Sequence, residues 1–107
     1  MADELVLKIE EILESKKGKD IKKIDIKDKT TIADYFIIVS GTSTTHVKSL
    51  ADNVEEELKK CNVYPNKIEG YDTGSWILLD YDNIIVHIFT ENERKNYSLE
   101  DLWEKIK

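Results

Sequence analysis

Ser75-Trp-Ile-Leu-Leu-Asp80-Tyr-Asp-Asn-Ile-Ile-Val-His-Ile-Phe-Thr90 is two β-prone runs separated by Asp82-Asn83, residue types that tolerate the positive φ of a tight turn. The pattern predicts a hairpin. With Asp82 and Asn83 as its two loop residues, Leu79 pairs with Val86, Leu78 with His87, Ile77 with Ile88 and Trp76 with Phe89. Side chains alternate across a strand, so Ile77, Leu79, Ile84, Val86 and Ile88 form one wholly aliphatic face, which has to be core. The other face carries Trp76, Leu78, Asp80, Ile85, His87 and Phe89.

Outward from the hairpin, Tyr35 to Ser40 is a continuous β-prone run without alternation, as expected of a strand covered on both faces. Gly41 and Ser43 then supply a turn and an N-cap for a helix whose Val47, Leu50, Ala51, Val54 and Leu58 fall on one stripe. Asn62 to Asn66, with the only proline at Pro65, ends it, and Lys67 to Tyr71 reads as a short strand. Toward the N-terminus, Val6, Ile9, Ile12 and Leu13 place an amphipathic helix near residues 3 to 16, stopped by Gly18. Ile24 and Ile26 alternate with Lys23 and Asp25 in a short strand, followed by the polar loop Lys27 to Thr31. A closing helix is capped by Ser98, with Asp101 in the capping-box position and Leu99, Leu102, Trp103 and Ile106 as its core stripe. These elements predict an α/β fold: a single small domain over 1–107 with a mixed β-sheet of about five strands flanked by helices.

Composition narrows the function classes. An apolar fraction of 40% with 36% charged residues suits a folded chain rather than a disordered one. The longest apolar run, Tyr35 to Val39, is too short for a bilayer, and the acidic start Met1-Ala-Asp-Glu lacks a basic n-region, so a cytoplasmic protein is expected. Cys61 alone permits neither an internal disulfide nor a cysteine zinc cluster, and reads as a reduced thiol at a helix end. Sixteen basic against 22 acidic side chains give a net charge of −6, which argues against a duplex-binding module and for a basic protein partner. The one basic cluster, Lys16-Lys-Gly-Lys19 with Lys22-Lys23, is interleaved with aspartates and reads as a solvated loop.

Hydrolytic triads and metal sites need convergent His, Cys, Asp or Glu, and this chain offers His46 and His87 without a second ligand at a familiar spacing. No catalytic residue, metal or cofactor is therefore expected, and His46 reads as an exposed polar residue in the first turn of its helix. Ser40-Gly-Thr-Ser-Thr-Thr45 runs from strand to helix N-terminus, the geometry that presents amides to phosphate, yet it lacks the spacing and Lys of a Walker A loop. A Gly-Ser here is also found in nucleotidyltransferases, which need metal-binding carboxylates alternating on a later strand. Asp80 and Asp82 have that spacing, but Asp82 falls in the turn. Capping is the preferred reading of the loop, and a nucleotide-binding or nucleotidyltransferase-like enzyme using Gly41 is the alternative function.

Ala33-Asp-Tyr-Phe-Ile-Ile-Val-Ser-Gly-Thr-Ser43 with His46-Val47, Gly70-Tyr71, Trp76-Ile-Leu-Leu-Asp80, Val86-His-Ile-Phe89 and Arg94 through Tyr97-Ser-Leu-Glu-Asp-Leu-Trp103 together resemble the ribosomal silencing factor (Iojap) family. Their order and spacing extend over about four-fifths of the chain. One departure is the hairpin turn, where the family commonly has a glycine after the tyrosine and this chain has Asp82-Asn83. The resemblance implies a nucleotidyltransferase-like fold without catalytic carboxylates. It also implies a factor that binds the large ribosomal subunit through ribosomal protein number fourteen at the intersubunit face, blocks joining of the small subunit and represses translation under nutrient limitation. A minor contact with ribosomal RNA and a homodimer are left open.

In that light the second hairpin face has the composition of an interface hot spot, aromatic with a few polar groups. Trp76, Leu78, Asp80, Tyr81, His87 and Phe89 are the candidate partner-binding residues. A helix laid over this face would instead make its aromatics core. A generic adaptor, or a homodimer using the same face on itself, is the third functional reading.

Overall fold

An apolar run without alternation has to be covered on both sides, and β2 (Tyr35–Gly41) is buried at every residue. In the computed structural model, which describes residues 2–97, it lies among α1 (Ala2–Ser15), β1 (Lys19–Asp25), α2 (Thr44–Lys59), β3 (Lys67–Glu69), β4 (Trp76–Asp80), β5 (Ile84–Thr90) and α3 (Glu91–Tyr97). One five-stranded sheet forms in the order β1-β2-β5-β4-β3. β2 and β5 run parallel and the other neighbours antiparallel, which makes the sheet mixed, as expected.

The hairpin has the register read from its two-residue turn: Trp76 opposite Phe89, Ile77 opposite Ile88, Leu78 opposite His87 and Leu79 opposite Val86. Asp82 alone takes the left-handed conformation, at φ 69°, in the position after Tyr81 where the resemblance leads one to expect glycine. Asp80 Oδ1 accepts the Asp82 N–H at 2.9 Å, and the Asn83 carbonyl accepts from the Asp34 and Tyr35 amides at 2.8 and 3.1 Å. The turn is thereby held against the start of β2.

Two apolar clusters sit on either side of the sheet. The larger is formed by Val6, Ile9, Ile12 and Leu13 of α1, the five-residue stripe of α2, and Ile37, Val39, Ile77, Leu79, Ile84, Val86 and Ile88 beneath them. The smaller, on the opposite face, contains Ile24, Ile26, Phe36, Ile38, Ile85 and Phe89, with Trp76 and Leu78 at its margin. Hence the aliphatic hairpin face is core, as its alternation requires.

Several elements differ from expectation. β1 begins at Lys19, so part of the basic cluster is strand and not loop; Ile26 lies beyond it. A register shift between Lys19 and Lys22, with Asp20 at φ 52°, marks a bulge there. β3 is only Lys67–Glu69, because Gly70 turns at φ 80°. The helix stop of α1 is Lys17 at φ 66°, with Gly18 N–H bonded to Leu13 O at 2.8 Å. Gly18 is needed for a different reason: a Cβ there would lie 2.7 Å from Val39 Cγ2 and 2.9 Å from Leu13 O. α3 was not expected; Thr90 Oγ1 accepts the Glu93 N–H at 3.3 Å, with Glu91 and Glu93 in the first turn. The closing helix from Ser98 to Ile106, with Trp103, lies outside the described residues.

Candidate functional site

Alternation along β4 and β5 brings Trp76, Leu78, Asp80, His87 and Phe89 to one face of the sheet. The Trp76 indole lies over Phe89 with centroids 4.8 Å apart, and its Nε1–H donates to His87 Nδ1 at 3.1 Å. His87 also meets Phe36 edge-on, at 4.7 Å between centroids. The indole is therefore held at two points, by ring packing and by a hydrogen bond. Since Nδ1 accepts, the neutral imidazole carries its proton on Nε2, and that buried N–H has no partner among the described residues. Burial pushes the His87 pKa down to about 4, so the ring is neutral at pH 7.

The candidate residues divide by depth. Trp76, Leu78 and Asp80 are partly exposed, whereas His87 is 4% exposed and Phe89 0%. The latter two form the floor of the face rather than its surface. The structure does not bring Tyr81 to this face at all. The residue is 6% exposed within the larger cluster on the other side, where burial pushes its pKa up to about 12 and its hydroxyl has no partner among the described residues. Tyr81 is the residue after β4 ends, so strand alternation carries it away from Asp80.

Around Gly41, three backbone donors are engaged internally. Ser43 Oγ accepts the His46 N–H at 3.1 Å and Ser43 O the Val47 N–H at 2.9 Å, while the Thr42 N–H goes to His46 Nδ1 at 2.9 Å. His46 Nε2 lies 3.0 Å from Lys16 O, an acceptor only, so it is the protonated nitrogen and the ring is the Nε2–H tautomer. Expected as an exposed polar residue, His46 is instead a partly buried clamp between this loop and the end of α1. A Cβ on Gly41 would lie 2.9 Å from Val47 Cγ2, so the glycine serves close packing of the helix on the strand. Asp80 and Asp82 are likewise engaged in the turn, the first with the Asp82 N–H and the second with the Asn66 amide. Among the described residues no group of three or more His, Cys, Asp or Glu could hold a metal ion.

One contributor escaped the sequence reading. The Arg94 guanidinium of α3 donates to Ser40 Oγ at 2.9 Å and reaches Lys19 O at 3.5 Å. It satisfies the buried Ser40 hydroxyl and ties α3 to β2 and β1 on the same side of the sheet as Phe89. The signal was the Thr90-Glu-Asn-Glu93 capping box, which starts a helix directly after β5 and puts Arg94 at its first inward turn.

Comparison with known proteins adds a further finding. A family model described as "Ribosomal silencing factor during starvation" matches residues 1–107. The ribosomal silencing factor of Haemophilus influenzae is 41% identical over 93 residues, covering 87% of this chain and 91% of that protein. The one from Bacillus subtilis is 33% identical over 90 residues, covering 84% and 76%. A crystal structure of a Chromobacterium violaceum protein superposes with a TM-score of 0.93 at 34% identity, over 98% of this chain and 88% of that one. Among the described residues no helix is long and apolar enough to cross a membrane.

Proposed function

The chain belongs to the ribosomal silencing factor family, and from that membership we propose that it binds the large ribosomal subunit through ribosomal protein number fourteen. Bound at the intersubunit face, it obstructs joining of the small subunit and so represses translation when nutrients are short. The whole of residues 1–107 acts as one domain, in the cytoplasm, by occupying space and not by catalysis. The observation that carries this reading is the family match along the entire chain.

Trp76, Leu78 and Asp80 are the proposed contact surface, with His87 and Phe89 as the bed that fixes the indole. Partly exposed aromatic and aliphatic side chains beside a carboxylate suit a basic protein partner. An anchor of this kind costs ~2–4 kcal/mol when truncated, roughly 30-fold or more in affinity. The donors spent inside the Gly41 loop and the carboxylates engaged in the turn favour occlusion over nucleotidyl transfer.

Sedimentation with isolated large and small subunits tests the proposal. Comigration with the large subunit and a lower yield of joined ribosomes are expected. Binding to the small subunit alone, or to neither, refutes it. Leu78→Lys, which places a cation against a basic partner at a partly exposed site, weakens large-subunit binding while the urea midpoint stays near that of the wild type. Unchanged affinity would move the docking surface elsewhere.

A further inference from the structure

Charge is segregated in this chain. Between Lys16 and Lys29 there are seven lysines against Asp20, Asp25 and Asp28, a local charge of 7 − 3 = +4. The whole chain carries −6, so all other residues together carry −6 − 4 = −10. Much of the acid lies on the two long helices, at Glu10, Glu11 and Glu14 of α1 and Glu55, Glu56 and Glu57 of α2.

The basic segment is not a loose loop. It is the tight turn after α1, the edge strand β1 and the start of the connection to β2. The bulge sets Lys22 opposite Ile38 and Lys23 opposite Ile37, so successive lysines project to both sides of the sheet edge. Lys23 and Lys27 stand 5.6 and 4.8 Å from the Tyr35 ring centroid, and Lys27 Nζ donates to Tyr35 Oη at 3.0 Å. Lys16, Lys17, Lys19 and Lys23 are exposed. The result is a ridge of cations along the sheet edge, in which Lys27 also lies 3.8 Å from Asp25 Oδ2.

We propose that this ridge, residues 16–29, contacts RNA phosphates on the ribosomal subunit beside the docking face. The inference rests on the reading that the chain docks on that subunit. Lysine on an edge strand also deters sheet-to-sheet aggregation. The other edge shows that such protection needs no net charge, since β3 presents Lys67 and Glu69 paired at 3.3 Å. A lipid surface would call for exposed apolar side chains among the lysines, whereas Ile21 is partly buried and Ile24 and Ile26 are buried. Lys19 and Lys22, opposite Ser40 and Ile38, stand on the Trp76 side of the sheet and Lys23, opposite Ile37, on the other; three strand spacings, roughly 14 Å at ~4.8 Å each, separate β1 from β4, so a partner that covers Trp76 and reaches round this edge meets lysines of both sides. With −10 spread over the rest of the molecule, the ridge would also orient the protein on approach to a polyanion.

The test is the full chain with Lys16→Gln, Lys19→Gln and Lys23→Gln together, titrated on purified large subunits over a series of salt concentrations. Each lost phosphate contact removes about 0.7–0.9 from the slope of log affinity against log salt. Three contacts make the slope shallower by about 2–3, so a fourfold rise in salt costs the wild type roughly 20- to 40-fold more affinity than the variant. The urea midpoint should not move. Equal slopes for variant and wild type, with Leu78→Lys still weakened, overturn the inference and leave the docking reading standing. A loss of affinity without a change of slope also overturns it, because a contact whose loss leaves the salt dependence intact releases no phosphate counterions. Binding to phosphatidylglycerol vesicles that the triple variant loses, with its subunit slope unchanged, overturns it in favour of a lipid surface. Wild-type protein that does not bind subunits sinks both readings.

Discussion

Acidifying the protein should weaken it through one side chain. His87 is buried on the aromatic face with its pKa pushed down to about 4, against an ordinary value of 6.5 in the unfolded chain. The unfolded state therefore binds the proton first, and the stability associated with a neutral buried ring is present above pH 6.5 and lost as pH falls toward 4. A separation of two to three pH units at 1.36 kcal/mol each bounds the loss at roughly 3 kcal/mol, of which about 2 kcal/mol falls between pH 7 and pH 4.5. Protonation also turns Nδ1 into a donor facing the Trp76 Nε1–H, so the indole is released along with the fold. Urea unfolding of the wild type and of His87→Phe at the two pH values isolates this contribution, because both proteins share the same carboxylates. The variant's stability should fall by about 2 kcal/mol less than the wild type's over that interval, whatever its absolute stability at pH 7. Parallel losses in the two proteins would refute the argument and place the acid sensitivity in other groups.

At the end of α1, Lys17→Gly should raise the urea midpoint, since relief of a left-handed lysine is worth about 1 kcal/mol. One residue on, Gly18→Ala should lower it by about 1–3 kcal/mol, because the added methyl meets Val39 and the Leu13 carbonyl. Tyr81→Phe should be neutral or stabilising at pH 7, by up to about 1 kcal/mol, as it removes a buried hydroxyl without a partner. The same variant should flatten alkaline unfolding. The wild-type phenol titrates near 12 when folded against 10 when unfolded, so its stability is lost as pH rises between those values.

How far the molecule could be read in advance follows from which interactions are local. The hairpin register was legible because a two-residue turn leaves one pairing, and a period of two then assigns every side chain to a face. The α2 stripe was legible for the same reason at a period of 3.6. The depth of each residue on the second face was not. Whether Phe89 and His87 are surface or floor depends on what packs across them from β2 and α3, and neither alternation nor composition along β5 carries that information. The start of β1 is hidden because a bulge breaks the alternation by which a strand shows in a sequence, and Asp20 takes its left-handed φ without being glycine. A glycine at position 18 marks the helix end, but its cause is not local, since the close approach it allows to Val39 joins residues 21 positions apart. The basic cluster carries the most consequential of these differences. As a solvated loop its lysines would have no fixed spacing and could recognise nothing in particular. On a bulged edge strand, Lys19, Lys22 and Lys23 take defined positions, with Lys23 against the Tyr35 ring. The distinction between loop and strand at Lys19 thus separates charge without a fixed arrangement from the defined spacing of Lys19, Lys22 and Lys23 along β1.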